Sequence, residues 1–535
     1  YFQSTPMLRS PLSLLVGLTY SVMSKASPLP SFSRNEVAKH HTAADLWVII
    51  DGYVYDLTQF QALHPGGAPP LKRVAGKDAT VDFYSIHRKN VLNDSRFLKL
   101  KVGTVQGFQA TQATEPSTPF AESDFVRKHS PYYNASHRCF RSAVRLFVDA
   151  EIVPTCVEDD ENGEDPSLVL NMKMGQVGIL AAVCGKLSAK VGYSKIQCGD
   201  VSLEEFDYFH NLILCEEFKR FGAYGLSDGL LGGLSIGLPV ILNFGSPYLL
   251  ETVAKPCLRG EKRICLAISE PYAGSDVARI RCDAKLSEDR RHYIVNGVKK
   301  WITGGRFADF FTTLCKTEGG FALLVIEKTN AVSTKAIKTS YSSAAGTAYV
   351  EFNDALVPVE NIVGEVGLGF SYTMYNFNHE RWGMAVGGNR MSRLMLEESF
   401  KWAAGRQVFK RRLIDQPVIR FKMAQMAAEV ESVHSMIEDI TYQMCNMTSE
   451  EINKDLAGPI ALLKYKQTRA ASLVADTVCQ IFGGRALTRS GMGVFVEKFQ
   501  RSYKMQAILG GSEEILADLA IRQSMKTIGP IPAKL

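Results

Sequence analysis

At 535 residues the chain exceeds what one hydrophobic core usually serves, so we expect two or more domains. Its 46% hydrophobic and 22% charged residues are typical of a globular protein and exclude a disordered or fibrous one. The net charge of +6 is small and no basic stripe stands out, which argues against nucleic acid as a partner. The 11 cysteines form no CxxC pair and predict buried free thiols, without a structural metal.

The two ends of the chain carry candidate targeting signals. We interpret residues 1–34 as a tag remnant and a leader that contains no acidic residue, which is typical of an organelle presequence or a disordered segment. The tail, residues 529–535, ends in Ala533-Lys534-Leu535, which resembles the S-K-L type of peroxisomal address. The sequence therefore predicts a peroxisomal protein, with the mitochondrion as the alternative location.

The first folded segment contains two histidines in a suggestive setting. Trp47 to Thr58 predicts two short strands about an Asp51-Gly52 turn. His64 follows and is itself followed by Pro65, which stiffens the backbone, and by two glycines that let the chain pass close to a flat ligand. With His87, two neutral imidazoles can ligate an iron from both faces, which leaves electron transfer as the function of the site.

The His-Pro-Gly-Gly sequence after a Trp-Val-Ile strand resembles cytochrome b5 over residues 35–106. The resemblance implies a small α+β domain with His64 and His87 as axial ligands of a b-type haem. Arg88 and Lys89 depart from the small residues that are commoner after the second histidine. A haem-free b5-like fold used for binding is the alternative. Residues 107–121, rich in Gln, Thr, Ala and Pro, predict a linker.

Three segments with different sequence patterns follow the linker. Residues 122–262 have a helical pattern, residues 263–370 are rich in β-branched residues, and residues 371–528 return to long helical periodicity. The apolar segment 229–244 is interrupted by glycines and a proline, so we expect a buried bundle helix and its turn, and no stable membrane span. The acidic stretch 158–165 predicts a solvated loop.

Leu266 to Asp276 and Asn296 to Gly304 closely resemble the two flavin-side signatures of acyl-CoA dehydrogenases, and the resemblance extends over residues 122–528. It implies an N-terminal α-helical bundle, a β-sandwich or barrel middle domain and a C-terminal four-helix bundle, with FAD as cofactor. In the middle domain it implies hydrogen bonds from Ser269 and Thr303 to the isoalloxazine edge and packing of Trp301 on the ring. The cofactor-binding residues implied there are Ile268, Ser269, Gly274, Ser275, Trp301 and Thr303, of which Ser275 also lies near the acyl-CoA substrate.

The C-terminal helices supply a second set by the same resemblance. It implies that Arg406 pairs with the pyrophosphate of FAD held by a neighbouring subunit, as a guanidinium fork can. The chain is therefore expected to be a homodimer or homotetramer. Val408 and Lys410 stand where Thr and Gly are common, so one FAD hydrogen bond is expected to be lost. The cofactor-binding residues implied in this region are Arg406, Phe409, Gln480, Gly484, Ser512 and Glu514.

Removal of an α-proton from a thioester needs a carboxylate whose pKa is raised by burial. Many relatives carry that Glu at the position of Gly510, which cannot serve here. Long-chain and isovaleryl-type relatives instead resemble this chain in carrying a base at the position of Glu380. The resemblance implies that Glu380 is the base, that the Gly510 N–H polarises the substrate carbonyl, and that Arg381 and Gly511 bind substrate. The alternative is a structural ion pair between Glu380 and Arg381.

The sequence thus predicts an FAD-dependent acyl-CoA dehydrogenase that forms a 2,3-enoyl-CoA and passes electrons to its fused haem, with an external electron acceptor as a further partner. One alternative is an acyl-CoA oxidase that uses oxygen. The other is a non-catalytic flavoprotein that serves as a binding module, for which the missing glutamate at position 510 is the best support. Chain length and branching of the acyl group are not specified.

Overall fold

The computed structural model describes residues 29–88, 91–92, 95–108, 118–123 and 129–526. The chain folds as two compact units, Tyr1–Pro116 and Ser117–Leu535. Residues 1–28 of the expected leader, most of the expected linker and the C-terminal tripeptide lie outside the described residues, whereas the end of the expected leader, residues 29–34, belongs to the first unit. The cellular location inferred from the two ends therefore stays a prediction.

A five-stranded sheet with strand order β1-β5-β4-β3-β2 forms the first unit. Its strands are β1 (Ser31–Phe32), β2 (His41–Thr42), β3 (Asp45–Ile50), β4 (Tyr53–Asp56) and β5 (Lys101–Val105). The short helices are α1 (Arg34–Val37), α2 (Ala68–Val74), α3 (Thr80–Tyr84), α4 (Ser95–Leu98) and the 3-10 turn Phe60–Ala62.

The hairpin of strands β3 and β4 has the expected two-residue turn. Ile50 pairs with Tyr53, and both Asp51 and Gly52 have positive φ, +51° and +75°. Two left-handed residues are what a type I′ turn requires. Side chains of β3 alternate between two apolar clusters, with Val48 in one and Ile49 in the other. The sheet is therefore buried on both faces.

The second unit begins with helices and two short strands. The helices are α5 (Ala135–Glu151), α6 (Cys156–Asn162), α7 (Leu168–Gln176), α8 (Ile179–Cys184), α9 (Tyr208–Arg220), α10 (Tyr224–Phe244), α11 (Pro247–Leu249) and α12 (Lys255–Leu258). Strands β6 (Lys195–Ile196) and β7 (Val201–Ser202), the 3-10 helices Gly185–Val191 and Cys198–Asp200, and the π-helical turn Leu250–Ala254 connect them. A large apolar cluster that includes Phe140, Phe206 and Ile241 fills the space between these helices.

The acidic stretch 158–165 was expected to be a solvated loop, and this is wrong for its first half. Residues up to Asn162 complete α6, and Asp160 is only 3% exposed. Its carboxylate accepts hydrogen bonds from the Leu226 N–H at 2.8 Å and from Lys498 Nζ at 2.6 Å. The buried cation that compensates this charge lies 338 residues away in sequence, so the local pattern gave no sign of it.

Helix α10 is continuous but contains a π-helical turn at Asp228–Gly232. By length and apolar composition alone, α10 could cross a membrane, and so could the pair formed by α7 and Ile179–Val191, which is bent by 73°. In α10, 67% of the apolar window is buried inside the unit, as in a core helix. The buried helix expected at 229–244 is present, and it runs on from Tyr224 without a separate turn.

Seven strands form the middle sheet, in the order β12-β11-β9-β10-β14-β13, with β8 paired to β11. They are β8 (Ile264–Ala267), β9 (Asp283–Leu286), β10 (His292–Ile302), β11 (Phe310–Thr317), β12 (Gly320–Glu327), β13 (Val332–Ala336) and β14 (Ala348–Pro358). Short 3-10 helices lie at Val277–Arg279, Ser343–Ala345 and Val359–Asn361. The pairing of β10 with β14 shifts register between Lys299 and Ile302.

Long helices build the C-terminal part. They are α13 (Gly369–Tyr375), α14 (Phe377–Gly405), α15 (Pro417–Cys445), α16 (Ser449–Asp455), α17 (Ala457–Phe482), α18 (Val494–Gln506) and α19 (Glu513–Met525). The hairpin β15 (Gln407–Val408) and β16 (Arg411–Arg412) and the 3-10 helices Leu413–Asp415, Gly483–Leu487 and Gly491–Gly493 connect them. Helix α17 packs against α14, α15, α18 and α19, around an apolar core that includes Met395, Val474 and Phe499.

The end of the expected linker is held by the second unit. The Phe120 carbonyl accepts a hydrogen bond from Arg393 at 3.2 Å, and the Phe120 ring stacks on Phe400 with centroids 5.9 Å apart. Glu122 pairs with Arg145 at 3.0 Å. Residues 118–123 therefore enter the second unit as an anchored segment.

Candidate active site and cofactor sites

The two histidines expected to ligate haem face each other. The ring centroids of His64 and His87 lie 6.0 Å apart. This separation admits a metal ion bound by both rings, because a metal–imidazole bond is about 2 Å long. His64 Nδ1 donates to the Gly67 carbonyl at 2.8 Å, which fixes the tautomer and leaves Nε2 free to bind metal.

The surroundings of these histidines also suit a flat apolar cofactor. Leu63 and Ile86, which directly precede the two histidines, are 75% and 49% exposed. Burial lowers the pKa of His87, which favours the neutral, ligating form. At Gly67, φ is +71°, a conformation that favours glycine. The residues present therefore fit a haem.

In the second unit, a buried lysine builds the wall that carries Ile268 and Ser269. Lys299 is fully buried, and its Nζ donates to the Ile268 carbonyl at 3.0 Å, to the Leu314 carbonyl at 2.8 Å and to Glu270 at 2.9 Å. Glu270 also accepts from the Arg281 and Cys282 N–H groups at 2.6 and 2.9 Å. Each of the three donors of the Lys299 ammonium therefore has an acceptor, and these hydrogen bonds hold the segment that follows β8.

Trp301 lies at the end of β10, and Thr303 lies in the turn that follows this strand. The Lys300 N–H donates to the Ser269 carbonyl at 2.8 Å and joins the two segments. Trp301 has φ of +68° at the register shift of β10 and is 49% exposed. A bulky side chain in the left-handed region is strained, and such strain clusters at ligand sites. The segment of Ile268 and Ser269 and the segment of Trp301 and Thr303 thus lie side by side, which fits their expected place beside a flavin.

The two remaining residues of this set belong to the loop that follows β8. Gly274 and Ser275 are exposed on the loop after β8, and a Cβ built on Gly274 would meet no atom within 4 Å. That open approach suits a backbone contact with a ligand. Their expected contacts with FAD and acyl-CoA stay a prediction.

Arg406 and Phe409 follow the end of α14, and Gln480 and Gly484 flank the end of α17. Phe409 is 91% exposed and Gln480 and Gly484 are exposed, as expected if a second subunit's cofactor covers them. Arg406 lies over the Trp402 ring at 5.8 Å. The sequence interpretation missed Arg485, whose guanidinium lies over the same ring at 4.8 Å. Two cations on one ring suit an anionic ligand such as a pyrophosphate.

Glu380 lies in the first turn of α14. Its side chain is half-buried and accepts one hydrogen bond, from Asn376 Nδ2 at 2.9 Å. Burial raises the pKa of Glu380 to about 8, against the smaller lowering by that bond and by the charge of Arg381. Arg381 turns away and donates from Nε to the Gly510 carbonyl at 3.2 Å. The alternative of a structural Glu380–Arg381 ion pair is thereby disfavoured, since no salt bridge joins the two.

The loop at Gly510 has a backbone conformation that favours glycine. Gly510 has φ of +65°, and a Cβ there would lie 2.6 Å from Met384 Sδ. A glutamate at 510 would therefore be strained by the backbone conformation and would require the Met384 side chain to move. Gly511, with φ of +100°, continues the turn. Ser512 caps α19 by accepting from the Ile515 N–H, and Glu514 is exposed.

Lys464 was missed by the sequence interpretation. It is fully buried, and Nζ donates to the carbonyls of Leu509 and Gly511, the latter at 2.8 Å. With Arg381 on the Gly510 carbonyl, cations hold three successive carbonyls of this loop. Burial and then the charge of Arg381 lower the pKa of Lys464 to about 7. A lone lysine on the apolar face of α17 was the signal available in the sequence.

One cluster with metal-ligand chemistry has a structural explanation. His137, Asp207 and His210 lie within reach of one ion. However, His137 and His210 cap α5 and α9 through their Nδ1 atoms, and His137 Nε2 donates to Asp207 at 3.0 Å. His210 Nε2 contacts the Ser136 hydroxyl at 3.2 Å. The ring nitrogens are used, so we interpret this as a helix-capping network.

The fold and the site together define a flavin-type oxidoreductase unit joined to a haem-type unit, and comparison with known proteins agrees. Models of the acyl-CoA dehydrogenase N-terminal, middle and C-terminal domains match residues 134–261, 265–355 and 367–525. The cytochrome b5-like heme/steroid binding domain model matches residues 33–106.

Among curated proteins, acyl-CoA dehydrogenase apdG of Emericella nidulans is 38% identical over 421 residues, which cover 77% of this chain and 96% of that protein. Acyl-CoA dehydrogenase AFT10-1 of Alternaria alternata is 34% identical, over 77% of this chain and 97% of that protein. A solved acyl-CoA dehydrogenase from Geobacillus kaustophilus, 26% identical, superposes with a TM-score of 0.63 over 74% of this chain and 99% of its own.

The chain therefore belongs to the acyl-CoA dehydrogenase family, and it carries a cytochrome b5-like domain before the dehydrogenase domains. The expected fold class is confirmed. FAD and haem are the cofactors of these two folds, and the histidine pair, the Ser269–Trp301 wall and the Arg406 cluster are the residues that suit them.

Proposed function

We propose that the chain oxidises an acyl-CoA to the 2,3-enoyl-CoA with Glu380 as the base. The observation that carries this proposal is Glu380 itself, a half-buried carboxylate with its pKa raised to about 8 and Arg381 tied to the neighbouring Gly510 loop. A carboxylate poised near neutral pH is what a general base requires. No glutamate at position 510 is needed.

In the reaction, a Glu380 oxygen takes the α-proton, and the electron pair of that C–H bond becomes the new α,β double bond. The β-hydrogen leaves with its electron pair. When bound, FAD supplies the acceptor for this hydride and haem supplies a one-electron acceptor. The Gly510 N–H stabilises charge on the thioester oxygen. Lys464 and Arg381 hold the loop carbonyls and add positive charge beside the developing enolate.

Electron transfer to the haem is part of the proposal, and it is supported by the covalent tether. Phe108 and Thr118 are ten Cα–Cα steps apart, which bounds their separation at about 36 Å. A tether of this length keeps the haem unit at a high effective concentration near its own dehydrogenase unit. The haem can then pass electrons to a soluble acceptor.

We also propose that a second copy of the chain completes the FAD site. The support is the exposed cluster around Phe409 and the two guanidinium groups over Trp402. Sedimentation or light scattering of the holoprotein should give a dimer or a larger even assembly. A monomer with full FAD content would contradict this arrangement.

The test is anaerobic mixing of the holoprotein with medium-, long- and branched-chain acyl-CoAs while flavin and haem absorbance are followed together. Bleaching of the flavin followed by haem reduction is expected, and His87→Leu should keep the bleaching but lose the haem signal. Aerobic peroxide release in stoichiometric amounts would instead indicate an oxidase. If no acyl-CoA bleaches the flavin, the dehydrogenase proposal is wrong and a binding role is favoured.

A further inference from the structure

One face of α14 is open just after the proposed base. Glu380, Gly383 and Gly387 share that face because they are three and seven residues apart. A Cβ built on Gly383 would meet no heavy atom within 4 Å. A Cβ on Gly387 would lie 3.3 Å from the aliphatic stem of Lys219. We call the open space beside Gly383 the groove, and Lys219 bounds it at Gly387, two turns after Glu380.

Lys219 bridges α14 to the π-helical turn of α10. Its Nζ lies 2.5 Å from Asp228 Oδ1, and the Tyr341 hydroxyl donates to the other carboxylate oxygen. The side chains of Lys219 and Asp228 are only 12% and 24% exposed. An ammonium has three donors, and Lys219 has no other hydrogen-bond partner among residues 129–526. Two N–H groups are left for a ligand.

The same charged pair borders the flavin side of the groove. Gly232 lies one turn after Asp228 in α10, and a Cβ on it would be 3.5 Å from Asp228 Cβ and 3.4 Å from Thr303 Cγ2. Thr303 is one of the residues expected to contact the flavin edge. The gap left by Gly232 thus runs between the flavin wall and the Lys219–Asp228 pair.

We propose that Lys219, Asp228 and Tyr341 form the polar floor of the acyl-chain slot, and that the acyl group of the substrate carries a neutral oxygen, a hydroxyl or keto group, that accepts a hydrogen bond from Lys219. This inference rests on the proposed function. The seven residues from Glu380 to Gly387 span about 10 Å of helix, the length of an extended chain of about eight carbons.

The chemistry of the floor selects the class of acyl group. A plain alkyl end would bury the Lys219 donors without an acceptor, which is a costly arrangement. A carboxylate end would place a second negative charge beside Asp228. A neutral oxygen satisfies the donors and adds no charge.

The test compares octanoyl-CoA with 8-hydroxyoctanoyl-CoA in anaerobic single-turnover reduction of the flavin by the holoprotein. We expect the ratio of the flavin-reduction rate constant to Kd to be about tenfold higher for the hydroxylated thioester in the wild-type protein, because octanoyl-CoA leaves a buried donor unpaired. Lys219→Met should abolish or reverse that preference. The matched control Lys173→Met, in a surface pair with Glu151, should leave it unchanged.

Binding of the corresponding 2-enoyl-CoAs, followed by the flavin absorbance, measures the preference without turnover. The double variant Lys219→Met/Asp228→Leu removes both charges and is the second route if Lys219→Met does not fold. Equal binding of both enoyl thioesters by the wild-type protein, or an unchanged preference in either variant, would overturn the polar floor. If no thioester reduces the flavin but the hydroxylated one binds about tenfold tighter, the proposed function fails while the polar floor stands.

Discussion

Two glutamates of the dehydrogenase unit, one buried and one half-buried, differ in their hydrogen-bond partners. Glu270, 2% exposed, is matched by the Lys299 ammonium and by two backbone N–H groups. Glu380 accepts one hydrogen bond, from Asn376, and its pKa is raised to about 8. The first carboxylate is therefore part of the scaffold, whereas the second is free to take up a proton. Burial makes a base only where compensating partners are few.

The variant Glu380→Gln tests whether Glu380 is the base, and it has the largest expected effect. The amide keeps the shape and cannot take the α-proton, so flavin reduction by acyl-CoA should fall about a thousandfold, within the usual range for loss of a general base. Stopped-flow absorbance measures the rate. The exposed Glu365→Gln serves as control and should leave the rate unchanged. Near-normal turnover in Glu380→Gln would mean that the base lies elsewhere.

The scaffold half of the comparison is tested by Lys299→Met. Removing one partner of a buried pair leaves an uncompensated charge, so the free energy of unfolding should fall by about 3–5 kcal/mol. Urea unfolding of the holoprotein measures the change. Lys466→Met, in a partly exposed pair with Glu429, should cost less than about 1 kcal/mol. If the double variant Glu270→Leu/Lys299→Met is no more stable than Lys299→Met, the compensation described for Glu270 is wrong.

The smallest effect is the pH dependence. Because Glu380 must be ionised to act, kcat/KM should rise about tenfold between pH 7 and pH 9, with an apparent pKa near 8. The sign for stability is opposite: an unfolded glutamate ionises near pH 4.5, while the folded one keeps its proton to about pH 8. Glu380 should therefore lower stability as pH rises between these values, and Glu380→Gln should remove that slope. A rate that is flat from pH 6 to 9 would contradict the assignment.

Local pattern was sufficient for much of the fold. The Asp51-Gly52 hairpin and the strand-borne segment around Ser269 and Trp301 are short-range features with strong sequence signals, and the structure has them where they were expected. The buried charges were not predictable in the same way. Asp160 finds Lys498, and Lys464 finds the Gly510 loop, only after distant helices pack. Polarity alone predicted a solvated loop around Asp160 and gave no prediction for Lys464, since it carries no information on long-range partners.

The candidate site shows the same division. Glu380 was identified because a motif carries it, and Lys219 was missed because no motif does. What joins Lys219 to the groove is the absence of side chains at Gly387 and Gly232, which has meaning only once α9, α10 and α14 lie side by side. A glycine in a helix weakens a sequence prediction, and here it marks space for a ligand.

The backbone of Gly510 also bears on how this enzyme can change over generations. A mutation to glutamate at that codon would put a Cβ on a residue with φ of +65° and would displace the Met384 side chain, so the variant is expected to lose stability before it gains a second base. Moving the base from the helix to the loop would then pass through a less stable intermediate. The position of the base is therefore expected to change rarely, and divergence among such enzymes is expected in the residues that line the acyl slot instead.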